Sequence, residues 1–344
     1  MCAVAVPRQV ECVGYDCDLA ILDVKDDQFW RGIPELPLPY ALPPTMSEVL
    51  AAGFPAGGQD LSMTRAVVNR ILVGGPTREL CVQIEPALTS GQLVLSASGQ
   101  LVGMACAGRE QGAQHPGYII PMPVIHTFLQ NAQIATSDSR HRRYLGKSVD
   151  CYRVQSLENP ELRVQLGLPA RPGEGEDGGV LVTRVPLDAA SAGKLEENDV
   201  LLAIDDHPIA TDGTVLLPDT AEPLRVNVRY MVQRAVLGST LRYTVLRKGS
   251  LVTVPVNTAP RRQRLLPPRQ PVPTPQWLVL GGLVFVPLLP EYEAIVPKSK
   301  LAAIHEPPSE EGEQVVLLLR VLQAEINIGY EDICGMLDSF NGHE

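Results

Sequence analysis

The 344-residue chain has no Cys-x-x-Cys pair: its seven cysteines, at 2, 12, 17, 81, 106, 151 and 334, are odd in number and scattered. That spacing gives neither a zinc ribbon nor a paired disulfide framework, so a reducing compartment with no structural zinc is expected. The chain also lacks an excess of positive charge. At a formal net charge of −10 it is a poor general nucleic-acid binder, because attraction to phosphate needs a basic face. Long hydrophobic runs are missing as well. The longest, Trp277 to Leu289, contains Pro287 and falls short of the roughly 20 residues a membrane helix requires. The N-terminus shows no secretory or organelle-targeting pattern. No Gly-Lys-Ser/Thr follows the glycines of Gly53-Phe54-Pro55-Ala56-Gly57-Gly58, which excludes a phosphate cradle there and leaves a turn between strands. Finally, no histidine precedes position 115; the six stand at 115, 126, 141, 207, 305 and 343.

What remains is the composition of a globular protein, 45% hydrophobic with a mean hydropathy of +0.04, long enough for two or three domains. From Leu80 to Pro121 short apolar runs alternate with Gly and Ser: Leu80 to Glu85, Leu93-Val94-Leu95, Leu101 to Cys106 and Gly117-Tyr118-Ile119-Ile120-Pro121. They read as successive antiparallel strands. Beyond Pro121 the spacing of Val124, Ile125, Phe128 and Leu129 predicts an amphipathic helix. Upstream, Asp16 to Val24 reads as a strand opening on a pair of acids, Asp16 and Asp18. Further on, Gly179 to Val185 and Asn198 to Asp205 read as strands, with Ser191-Ala192-Gly193-Lys194-Leu195 opening a short helix between them. Arg242 to Val256 alternates around a Lys248-Gly249 turn, the pattern of a hairpin. Arg140-His141-Arg142-Arg143 reads as part of a linker, and Arg261 to Pro275, rich in Pro and Arg, as an extended one.

These stretches, in this order, resemble the plant-type Deg/HtrA (protease Do-like) serine proteases. The points that carry the resemblance are Asp18-Leu19-Ala20-Ile21-Leu22, Asp26 to Gly32, the Phe54 turn, Leu61 to Ile71, Gly117 to Pro121, Glu158-Asn159-Pro160-Glu161-Leu162-Arg163 and Glu325 to Asp332. The resemblance implies a mostly β chain: part of a trypsin-like (chymotrypsin-fold) double β-barrel over residues 1–132, a linker over 133–143 and a PDZ domain over 144–258. A Pro/Arg-rich linker over 259–275 and an incomplete second PDZ-like domain over 276–344 complete it. Because the first family motif comes as early as Asp18 and the chain stops at an Asn341-Gly342 turn, a fragment or a shortened gene product is expected.

For chemistry, the resemblance places the acid of a His-Asp-Ser triad at Asp18 and the nucleophile at Ser90. The family's Gly-Asn-Ser-Gly-Gly-Pro is absent, with Leu88 and Gln92 standing where glycines belong, so an ordinary turn serine is the alternative reading. The base would lie upstream of Asp18, where there is no histidine, and a serine hydroxyl without a base is a weak nucleophile. Hydrolysis by this chain is therefore not expected. For binding, the resemblance points to strand addition in the PDZ domain along Cys151, Tyr152, Arg153 and Val154. Two registers place its carboxylate loop, one at Tyr144-Leu145-Gly146 and one at Asp150-Cys151-Tyr152, where Asp150 would repel a terminal carboxylate. The resemblance further implies unfolded polypeptides or peptides as partners in protein quality control, a trimer-based homo-oligomer, no cofactor, no metal, and a chloroplast location with mitochondrion or nucleus as alternatives. A pseudoprotease that only binds peptides or joins family oligomers is the competing function.

Overall fold

A computed structural model describes residues 9–54, 58, 60–74, 79–106, 116–134, 144–173, 178–217, 220, 223–260, 264–267, 276–306, 308–310 and 313–339. Expectations for Pro55 to Gly57, the Arg140 to Arg143 run, most of the Pro/Arg-rich linker and Asn341-Gly342 lie outside the described residues. The chain divides into two compact units, Met1–Arg261 and Arg262–Glu344.

In the first unit, β1 (Gln9–Gly14) and β2 (Leu19–Asp23) form an antiparallel pair, and Asp26 caps the one-turn helix α1 (Asp27–Trp30) by accepting the Gln28 N–H. Asp16 and Asp18 do not open the strand, as the sequence pattern suggests, but sit in the turn between β1 and β2. There Asp18 takes a left-handed conformation (φ 57), which short polar side chains tolerate best.

Six strands then close into a barrel: β3 (Glu48–Gly53), β4 (Ser62–Gly74), β5 (Glu79–Glu85), β6 (Leu93–Ser96), β7 (Leu101–Cys106) and β8 (Gly117–Pro121), hydrogen-bonded in the order β3-β4-β5-β8-β7-β6. The period-2 alternation turns Val49, Ala51, Ala66, Val68, Val82, Ile84, Val94, Val102 and Ile119 inward as one buried cluster. Gly103 in β7 lets β8 approach closely, since a Cβ there would stand 2.1 Å from the Ile120 carbonyl oxygen. Helix α2 (Met122–Ile134) follows β8 directly and buries Val124 and Phe128 against the hydrophobic core, as the 3.6-residue spacing predicts.

The same unit continues into a second sheet. Its strands β9 (Arg153–Ser156), β10 (Val180–Arg184), β11 (Val200–Ile204), β15 (Thr240–Arg247) and β16 (Ser250–Asn257) lie in the order β16-β15-β11-β10-β9, with β12 (His207–Pro208) beside β11. Thus β9 is an edge strand. Helix α3 (Pro160–Gln165) is capped by Asn159, whose side chain accepts the Glu161 and Leu162 N–H groups, and Pro160 occupies the first turn, where no donor is needed. A small pair, β13 (Thr214–Leu216) and β14 (Arg225–Asn227), leads into helix α4 (Arg229–Gln233). Lys248 (φ 50) and Gly249 (φ 80) make the two-residue turn joining β15 to β16. Ser191 to Leu195 departs from expectation. It forms a run of turns rather than a helix, with the Lys194 and Leu195 N–H groups both reaching the Ser191 carbonyl and left-handed Gly193 interrupting it.

The second unit is a four-stranded sheet of β17 (Leu278–Leu280), β18 (Leu283–Pro287), β19 (Val316–Val321) and β20 (Gly335–Met336). The apolar run from Trp277 to Leu289 is split at Gly281-Gly282 into a hairpin, and Val286, Leu288, Val296, Ile304, Val315 and Leu317 form the core beneath it. Among the described residues no helix is long and apolar enough to cross a membrane.

Candidate functional site

Ser90 lies exposed in the turn between β5 and β6. The turn is closed from within. Gln92, 4% exposed, folds its side chain back so that Oε1 accepts the Thr89 N–H at 3.0 Å, and the Gly91 N–H donates to the Ala105 carbonyl at 2.8 Å. A turn built for acyl transfer needs backbone N–H groups aimed at a developing oxyanion. Here the Thr89 donor is held by a side chain standing where the family pattern has glycine. No hydrogen-bond partner reaches the Ser90 hydroxyl among the described residues.

Asp18 lies in the turn between β1 and β2. It is exposed; burial pushes the thiol of Cys106, the last residue of β7, up to about 12, and the Asp18 charge adds to the rise. Ser90 and Asp18 thus lie in two different turns, one between β5 and β6 and the other between β1 and β2. No imidazole stands with them among the described residues. His126 on α2 is hydrogen-bonded to the Leu38 carbonyl at 2.9 Å and packs against Tyr40, while His207 is in β12 and His305 in the second unit. His115, His141 and His343 lie outside the described residues.

The more strongly built polar cluster is one that the sequence did not single out. Asp16, two residues before Asp18, accepts the Tyr144 hydroxyl at 3.3 Å and the Lys147 N–H at 3.1 Å through Oδ2. Lys147 in turn places Nζ 2.8 Å from Glu79 Oε1 at the start of β5. Burial raises the Glu79 carboxyl to about 7 despite the pairing, because the desolvation cost outweighs the attraction of the ammonium. Burial likewise pushes Cys17 and Tyr144 well up, so both stay protonated in the ordinary range. The Tyr144-Leu145-Gly146 segment thus packs against the β1–β2 turn and β5. The acid pair at 16 and 18 was the available signal; which acid turns inward was not readable.

The positions singled out for peptide binding lead into and begin the edge strand. Cys151 is half-buried, Tyr152 is buried with its ring 5.9 Å from that of Tyr243, Arg153 is exposed and Val154 is half-buried. Arg153 opens β9, and β10 covers one side of that strand, with Arg184 opposite Arg153 and Val182 opposite Val154. Asp150, just before them, is turned inward: its carboxylate accepts the Ser191 hydroxyl at 3.0 Å, the Ser191 N–H at 3.3 Å and the Tyr243 hydroxyl at 3.0 Å. Among the described residues no group of three or more His, Cys, Asp or Glu side chains is placed to hold a metal ion.

Comparison with known proteins gives this arrangement a family. A model described as a PDZ domain matches residues 266–344. The chain is 33% identical over 334 residues to Protease Do-like 2, chloroplastic, of Arabidopsis thaliana, covering 93% of this chain and 52% of that protein. It is 31% identical over 336 residues to Protease Do-like 4, mitochondrial, of the same plant, covering 94% and 59% respectively. The chain therefore spans about half the length of the curated relatives it matches. A solved structure of the HtrA-type protease AlgW with tripeptide overlays it with a TM-score of 0.50 at 24% identity, covering 73% of this chain and 76% of that one, a likeness of fold. On the strength of these relatives, the barrel and the PDZ domain, the chain belongs to the Deg/HtrA, or protease Do-like, family of serine protease homologues.

Proposed function

We propose that this chain is a non-cleaving Deg/HtrA homologue that holds extended segments of unfolded or damaged polypeptides at the free edge of β9, in an organelle and as part of a family-type oligomer. The observation that carries the reading is the Ser90 turn: Gln92 occupies it and takes the Thr89 N–H, and no imidazole accompanies Asp18 and Ser90 among the described residues. An unactivated hydroxyl cannot attack an amide at a useful rate. The edge of β9, by contrast, keeps backbone groups on the side away from β10, the chemistry that adds a peptide as a further strand. The names of the relatives favour a chloroplast or mitochondrial location, and a trimer-based assembly accords with the family resemblance.

The test is hydrolysis of casein by the 344-residue chain and by its Ser90→Ala variant. Equal, background-level cleavage by both supports the reading. Cleavage that disappears in Ser90→Ala would overturn it and make Asp18 and Ser90 parts of a working site with a base from elsewhere.

A further inference from the structure

The inward turn of Asp150 decides what kind of peptide can occupy the β9 edge, given that the edge binds peptides at all. A ligand strand added antiparallel to β9 runs its C-terminal end toward the N-terminal end of that strand, which is the Asp150-Cys151-Tyr152 segment. A free terminal carboxylate arriving there would need unspent backbone or side-chain donors. Those donors are already taken by a carboxylate the chain supplies itself. Asp150, 8% exposed, accepts the Ser191 N–H and hydroxyl and the Tyr243 hydroxyl. A carboxylate offers about four lone-pair sites, and these three donors occupy most of them. The donors are ordered around one internal acceptor, and a second carboxylate would find the Ser191 and Tyr243 donors already committed.

The side chains at the edge add a sign. Arg153 of β9 and Arg184 of β10 are register partners just past a β-bulge in β10, and both are exposed, so two positive side chains stand close together at this end of the edge. No acid pairs with either among the described residues. Like charges across a strand pair repel, and an added strand carrying acidic side chains beside them would relieve the repulsion.

We infer that Asp150 stands in for a ligand's terminal carboxylate and closes that subsite, so that the β9 edge selects acidic, extended segments from the interior of a polypeptide rather than free C-termini. The chain of such a ligand continues past Asp150 with an uncharged peptide group, which needs no cluster of donors. This deepens the peptide-binding reading above and rests on it.

The experiment is fluorescence anisotropy on the full chain with three labelled twelve-residue probes of alternating apolar and polar pattern: one with two central glutamates and an amidated C-terminus, the same sequence with a free carboxylate, and the amidated sequence with lysines for the glutamates. The inference predicts that the amidated and free acidic probes bind within about twofold of each other and that the lysine probe binds about tenfold more weakly or worse, a charge effect of the size of one affinity decade. A free-carboxylate probe binding tenfold tighter than its amide would overturn the inference while leaving peptide binding intact; no binding by any probe would overturn the peptide-binding reading itself. An Arg153→Glu, Arg184→Glu double variant changes only exposed positions and is expected to reverse the preference between the acidic and lysine probes. An unchanged preference would remove the two arginines from the account.

Discussion

Lys147 Nζ lies 2.8 Å from Glu79 Oε1, with the two side chains only 12% and 6% exposed, so one strand of the barrel and the segment entering the second sheet meet through a nearly dry ion pair. An ion pair taken out of water contributes little net stability, but loss of one partner leaves the other charge stranded. Lys147→Met is expected to cost about 3–5 kcal/mol at pH 8, where Glu79 is ionised. At pH 5 the cost shrinks, because Glu79 then carries a proton. Urea denaturation at the two pH values checks this, and an equal cost at both would contradict it.

The same carboxyl gives the chain a pH signature. Glu79 is raised from an ordinary 4.5 to about 7 in the folded state. Between those values the folded chain holds a proton that the unfolded chain has released, so the stability contributed by the protonated form is complete below 4.5 and lost as pH rises through 7. Glu79→Gln keeps the uncharged form at every pH. Its stability relative to the parent is expected to improve by roughly 3 kcal/mol between pH 4.5 and pH 8, a change readable as a growing difference in Tm.

Tyr243→Phe removes one donor from the buried Asp150 carboxylate without changing the shape of the ring. The expected loss is about 1–3 kcal/mol in chemical denaturation, the cost of a buried acceptor left short of a partner. Burial already raises the Asp150 carboxyl, with the Ser191 and Tyr243 hydrogen bonds opposing that rise, so the variant should raise it further.

Gly103→Ala tests the barrel itself. The added Cβ would sit 2.1 Å from the Ile120 carbonyl oxygen, a contact that only movement of β7 against β8 relieves. A loss of about 1–3 kcal/mol or more is expected for overpacking of this kind. A neutral substitution would show that the two strands are less closely joined than described.

Much of the fold was legible because it is written locally. The short apolar runs Leu80 to Glu85 and Leu101 to Cys106, the helical spacing of Val124 and Phe128 and the turn at Lys248-Gly249 each specify an element within a few residues. Ser191 to Leu195 misled because its composition suits a helix start while Gly193 in a left-handed conformation breaks the run. The polar connections were not legible for a different reason. Glu79 finds Lys147 across 68 positions, Asp150 finds Ser191 across 41 and Tyr243 across 93, and no spacing rule links residues so far apart. The turn between β1 and β2 also had to be seen before Asp16, rather than Asp18, could be recognised as the half-buried, hydrogen-bonded acid.

The account stands most directly on the fate of a bound polypeptide. Titrating the chain calorimetrically with an unfolded protein carrying acidic stretches, then weighing the recovered protein by mass spectrometry, measures binding and cleavage in one sample. Saturable heat with every ligand molecule recovered at its starting mass is the predicted result. New fragment termini that appear with the chain and vanish with Ser90→Ala, or an absence of any binding heat, would contradict it.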